Sequence, residues 1–315
     1  METLVRPISL TKRRLIFVLR IQGETTMEHK GNGSLFIAFA ALFWSTAGLF
    51  IKLITGWQTL AINGVTGAIA VVVMMICMKK TRIHFTKAVV FTAVNAALTS
   101  ILFVMANRYT TAANAIAMHY TNPMFVVLFS AAIERKWPNK AQSALTVLIF
   151  LGILLSFADQ IGGGNAWGNF LALVSGVTFA CVFIGNQLPG ASPQDASILA
   201  YVGNAVIGLP LAFFQPMPSA LSWVGLIGMG LELGLAYTCF SIGVKRTSPV
   251  AASLISVLEL VCNPIWVFLF LGERPSIFTL LGCIVILLGI VLNVIIENKE
   301  NGQARQPETE TMATK

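Results

Sequence analysis

The sequence predicts an all-α polytopic membrane protein whose ten transmembrane helices form two inverted five-helix repeats. Three observations carry this expectation: the hydropathy along the chain, the distribution of its positive charge, and the likeness between its two halves.

Of the 315 residues, 56% are hydrophobic and 11% charged, with a mean hydropathy of +0.78. A soluble domain carries roughly 25% charged residues. Apolar stretches of about 20 residues, each able to cross a hydrocarbon core of roughly 30 Å, recur at about 34–54, 57–78, 88–107, 112–133, 141–160, 167–187, 196–214, 221–244, 249–271 and 276–296. Ahead of them, residues 1–33 read as a cytoplasmic segment. Its apolar core, Leu15 to Leu19, is too short for a signal peptide, and "MEHKGNGSLF" makes Met27 the expected translation start. Residues 297–315, rich in Glu, Thr and Gln, are expected to form a disordered tail.

The net charge of +8 follows from topology. With a cytoplasmic N-terminus, all of the 21 Lys and Arg except Lys52, Arg108 and Arg274 fall on the cytoplasmic side, which puts both termini inside the cell membrane. Nucleic acid has no place in this distribution. The five cysteines (Cys77, Cys181, Cys239, Cys262, Cys283) lie within apolar segments without metal or redox spacing, so neither a metal nor a cofactor is expected.

The halves, 34–160 and 167–296, resemble each other. "GSLFIAFAALFWS" from Gly33 matches "GNFLALVSGVTFA" from Gly168 at an offset of 135, and "NRYTTAANA" from Asn107 matches "VKRTSPVAA" from Val244 at 137. Because five is odd, the second half enters the membrane in the opposite sense. Such inverted repeats place a site near the midplane and provide two alternative packings.

Polar residues at membrane depth are the candidate site. Glu259 and Glu232 are the acids deep within predicted spans, where a charged carboxylate costs roughly 2.5–3.5 kcal/mol. At an offset of 137 they map onto Asn122 and Asn95, so four polar groups are expected to converge about the pseudo-axis. Asn263 shares a helix face with Glu259. His119, Tyr120, Tyr237 and Trp44 are further candidates for cavity lining, each with a packing role as the alternative. Lys52, the equivalent of Gln187, reads most simply as a side chain reaching the outer interface.

"LFWSTAGLFIK" (42–52), "YTTAANAIAMHYTNPMF" (109–125) and "TSPVAASLISVLELVCNPIWVFLFLGER" (247–274) resemble signatures of the EamA family of the drug/metabolite transporter superfamily. The resemblance spans residues 33–296. It implies ten helices in two inverted repeats, cytoplasmic termini, and a central cavity lined largely by helices 1, 3, 4, 6, 8 and 9. The chain departs from the family's usual Glu-Pro in helix 9, having Glu259-Leu260 with proline at Pro264, so the kink is displaced or absent. Helix 2 lacks a common arginine near residues 63–67, and His119 and Asn122 replace a frequent glutamine and small residue.

The function expected is secondary transport by alternating access, exporting a small polar or amphipathic metabolite, with protons as a possible coupling ion through Glu259 and Glu232. Lys and Arg are absent from the depth of every span, which argues against phosphorylated substrates. Lipids and the substrate are the partners, and the unit is a monomer or homodimer. The alternatives are a receptor or scaffold, for which no large soluble domain stands in the sequence, and a membrane-embedded enzyme, for which no His-Glu-x-x-His pattern or nucleophile with a base is present.

Overall fold

A computed structural model describes residues 33–135, 140–161, 165–272 and 274–313. The N-terminal segment with its Met27 start, and Gly162–Gly164 of the central turn, lie outside them. The chain forms α1 (Gly33–Trp44), α2 (Ala47–Lys52), α3 (Thr59–Cys77), α4 (Lys87–Tyr109), α5 (Ala112–His119), α6 (Asn122–Glu134) and α7 (Lys140–Ser156) in its first half. The second half forms α8 (Ala166–Gly185), α9 (Pro193–Ala212), α10 (Ala220–Gly243), α11 (Pro249–Ser256), α12 (Leu258–Leu271) and α13 (Ile277–Ala313). Among the described residues nine spans are long and apolar enough to cross a membrane, and the tenth, α7, has 17 residues. In hydrocarbon each backbone N–H and C=O needs an internal partner, which a helix supplies.

Starts are set by hydroxyl and amide caps. Thr86, Thr111, Asn165, Ser192, Ser219 and Ser248 each accept a backbone N–H of the first turn, satisfying donors the helix itself leaves open. The last helix does not end where the apolar residues do. Its backbone is helical to Ala313.

Three spans are broken near mid-membrane. In the first, Ser45 Oγ donates to Leu42 O (2.6 Å) and Thr46 Oγ1 to Phe43 O (2.8 Å). These hydroxyls compete with the backbone ladder and separate α1 from α2. In the fourth, Thr121 Oγ1 donates to Met118 O (2.6 Å) and Pro123 follows in the first turn of α6. In the ninth the break lies at Val257, where tight bonds join Val257 N to Leu254 O and Leu260 N to Val257 O. Glu259 is therefore the second residue of α12 rather than the middle of a continuous helix. Pro264 lies within α12, and the Leu260 carbonyl that it cannot serve faces the Cys283 thiol at 3.9 Å.

The repeat is visible residue by residue. Shifting α5, Ala112–His119, by 137 gives Pro249–Ser256, which is α11. Close approaches repeat as well. A Cβ on Gly33 would meet Thr247 and, at 2.7 Å, the Arg246 carbonyl carbon; one on Gly168 would meet Thr110 N at 2.6 Å and the Tyr109 carbonyl carbon at 2.7 Å. Each half thus inserts the start of its first helix against the turn before the other half's broken helix. Trp44 and Phe179, equivalent at an offset of 135, touch at 6.4 Å between ring centroids, so the pseudo-axis passes between them.

The two halves are not in equivalent states. The near side, on which α1 starts, is closed: α11 packs on α6, α8 and α1, and Val250 to Val257 are all buried. Gln187 Nε2 adds donations to Val244 O (2.6 Å) and Thr247 O (3.3 Å). On the far side α5 packs on α8 and α4, α12 packs on α1, α2 and α13, and no comparable packing joins α5 to α12. None of the described side chains of α12 is buried. The far side is therefore the more loosely packed of the two.

The near side also holds an ion pair, Lys80 Nζ to Asp195 Oδ1 at 2.8 Å, with Asp195 1% exposed. It ties the turn after α3 to the start of α9. Burial and the neighbouring Lys80 hold the Lys245 ammonium below the usual lysine range. Asp195→Asn removes a charge-assisted bond of about 1.5–3 kcal/mol and should lower the melting temperature in detergent by several degrees; an unchanged melting curve would show the pair to be dispensable.

Candidate functional site

The break in the ninth span places Glu259 near mid-membrane, at the start of α12 and opposite the end of α5. Its side chain is half-buried and stands opposite Tyr120, the residue that follows α5. Both residues owe their position to a helix break. Behind them lies an aromatic wall. Trp44, at the end of α1, stands 5.2 Å from Tyr237 and 5.6 Å from Phe240 between ring centroids, and Tyr237 stands 4.8 Å from Tyr201. A carboxyl flanked by phenol hydroxyls and ring faces suits a proton or an ammonium group.

The other candidates have different placements. His119 is buried, its Nδ1 2.8 Å from Ser175 Oγ and its ring stacked on Phe179 at 5.4 Å and beside Phe103 at 4.8 Å. It is a satisfied packing histidine, and among the described residues no three His, Cys, Asp or Glu could hold a metal. Asn263 donates to Ser45 O (3.0 Å) while Trp266 Nε1 donates to Ser45 Oγ (2.8 Å), so α12 is fastened to the break in the first span. Its role is to position α12 against α1.

Asn122 is fully buried. Its amide donates to His119 O at 3.4 Å, and its Oδ1 has no protein partner. Asn95 does not join the others. It donates to Phe91 O of its own helix (2.8 Å), at the margin of a face that exposes Phe91, Val94 and Leu98. Glu232 is 4% exposed with neither oxygen hydrogen-bonded. It shares a face of α10 with Gly228, where a Cβ would meet the Phe50 ring, and with Ala236. That face packs on α1 and α2. Of the four polar groups expected to converge, Asn95 bonds its own helix, while Asn122 and Glu232 are buried and Glu259 is half-buried.

Ser45, Trp266 and Tyr201 are central to the arrangement. The signal for Ser45 was the pair Ser45-Thr46 in an apolar run, since adjacent hydroxyls can compete for the carbonyls of a helix. Elsewhere, an apolar groove between α3 and α9, lined by Ala68, Val71, Val202, Ala205 and Val206, offers no polar group and suits a lipid chain.

The model of the EamA-like transporter family matches residues 31–158 and again 166–295. An uncharacterized transporter of Archaeoglobus fulgidus is 25% identical over 62% of this chain and 72% of its own. An uncharacterized transporter of Clostridium kluyveri is 22% identical over 85% and 95%, and an uncharacterized transporter of Bacillus subtilis, YxxF, 23% identical over 58% and 61%. A crystal structure superposes with a TM-score of 0.73 at 17% identity, over 85% of this chain and 99% of that one, a likeness of fold. With each five-helix half matched separately and the two matches covering nearly all the membrane-spanning residues, this protein belongs to the EamA-like transporter family.

Proposed function

We propose that the protein is a secondary transporter that exports a small zwitterionic, cationic or neutral solute by alternating access, with Glu259 as the charged group of the site and protons as the coupling ion. The observation that carries this reading is the contrast between Glu259, half-buried where α5 and α12 pack loosely, and its repeat equivalent Asn122, fully buried. In an inverted repeat the second state exchanges the conformations of the two halves. Far-side closure would then give Glu259 the surroundings that Asn122 has now. A bare carboxylate there costs roughly 2.5–3.5 kcal/mol, whereas a protonated or cation-paired one does not. Substrate and proton compete for the same oxygens, and the empty carboxylate resists the switch. That is the requirement for exchange.

Positive charge on the near side supports cytoplasmic termini, so the far side is external and the present state faces outward. The absence of fixed cations at depth favours ammonium-bearing or neutral solutes over phosphorylated ones. A proteoliposome screen over amino acids, amines, nucleosides and sugars tests the reading, together with a disulfide between Gln187→Cys and Thr247→Cys in a cysteine-free background. The cross-link should hold the near side closed and abolish net flux, with recovery on reduction. Full flux through cross-linked protein would refute alternating access.

A further inference from the structure

We propose that Lys52 is the latch that closes the far side, donating to the carbonyls of Asn107 and Thr110 at the end of α4 in the outward-closed state. The inference rests on the alternating-access reading and goes beyond it by naming the closing contact.

The near side shows how this fold closes. Gln187, just past α8, donates to Val244 O and Thr247 O. These are carbonyls at the C-terminal end of α10 and in the turn into α11, where a helix leaves acceptors open and carries partial negative charge. The repeat carries Gln187 to Lys52 at an offset of 135, and Val244 and Thr247 to Asn107 and Thr110 at 137. Both registers are visible in the structure, because Gly33 meets Thr247 as Gly168 meets Thr110. Exchanging the conformations of the halves therefore brings Lys52, the last residue of α2, to the end of α4.

The chemistry at the two ends explains the difference in residue. The near turn carries two cations, Lys245 and Arg246, which disfavour a further ammonium at 187. At the far turn the equivalents are Arg108 and Tyr109, a single cation, and all four of these side chains are exposed. An ammonium with three donors can there serve two carbonyls at the negative end of α4.

The test uses the full chain in nanodiscs and needs no substrate. Spin labels on Trp167→Cys and Phe270→Cys, both exposed at the far ends of α8 and α12, report far-side closure as a shortened distance. Lys52→Met should lower the closed-to-open ratio about tenfold, as expected for losing charge-assisted bonds. Lys52→Gln, which copies the near-side latch, should stay within about twofold of the parent. Independently, Lys52→Cys with Thr110→Cys should form a disulfide that traps the short distance. An unchanged ratio in Lys52→Met, an equal loss in Lys52→Gln, or failure of the disulfide where the far ends do close overturns the latch and leaves alternation standing. Far ends that never approach in any variant remove both.

Discussion

Glu259→Gln should abolish pH-gradient-driven accumulation while the protein still folds and exchanges substrate across a membrane without a gradient. The amide keeps the size of the acid, so the region between α5 and α12 retains its shape. It also matches the sealed form, since Asn122 already occupies the equivalent buried position as an amide. The variant should therefore switch between states whether or not a proton is bound. Accumulation should fall to equilibration. Binding of an ammonium-bearing substrate should weaken by about tenfold to 150-fold, the equivalent of losing a charge-assisted hydrogen bond of about 1.5–3 kcal/mol. Proteoliposomes with an imposed pH gradient measure the first effect, and titration calorimetry on the substrate identified by screening measures the second. Accumulation with the parent's pH dependence would make the carboxylate structural and move coupling elsewhere, with Glu232 the remaining buried acid.

Gly208→Val should prevent assembly of the bundle. α3 and α9 cross with their backbones in contact: a Cβ on Gly208 would meet Leu60 O and, at 2.6 Å, Gly64 Cα and N. The neighbours are backbone atoms, so no rotamer change can make room. In lipid the association of helices rests on such close approach, because apolar side chains gain little by leaving hydrocarbon for protein. Inserting a branched side chain must push the helices apart along a crossing that includes Tyr201 and Gly67, and the cost exceeds the about 1–3 kcal/mol of ordinary overpacking. Loss of the monodisperse peak in detergent chromatography is the expected result. Gly203→Ala, one turn and a half away on the same helix with nothing within 4 Å of the added carbon, should be neutral or stabilising by about 0.5–1 kcal/mol. A folded Gly208→Val with the parent's melting temperature would refute the role of the crossing.

Much of the architecture was legible in one dimension. Hydropathy marked the spans because lipid forces every crossing backbone into helix and every lipid-facing position to be apolar. The offset between "NRYTTAANA" and "VKRTSPVAA" paired α5 with α11, and Glu259 with Asn122, because a duplicated unit keeps its register. Which polar side chains meet was a different matter. Asn95 and Glu232 are equivalent by register, yet one bonds its own helix and the other is sealed against α1 and α2 without a partner. Asn263, one helical turn from Glu259, is committed to the Ser45 carbonyl. The break of the ninth span falls at Val257, ahead of Pro264. None of these placements follows from periodicity, since each depends on which carbonyl or surface the folded chain presents. The looser far side has the same origin. The repeat in the sequence is symmetric between the two sides, and only the tertiary packing of α11 on α6, heavier than any of α12 on α5, sets the two sides apart.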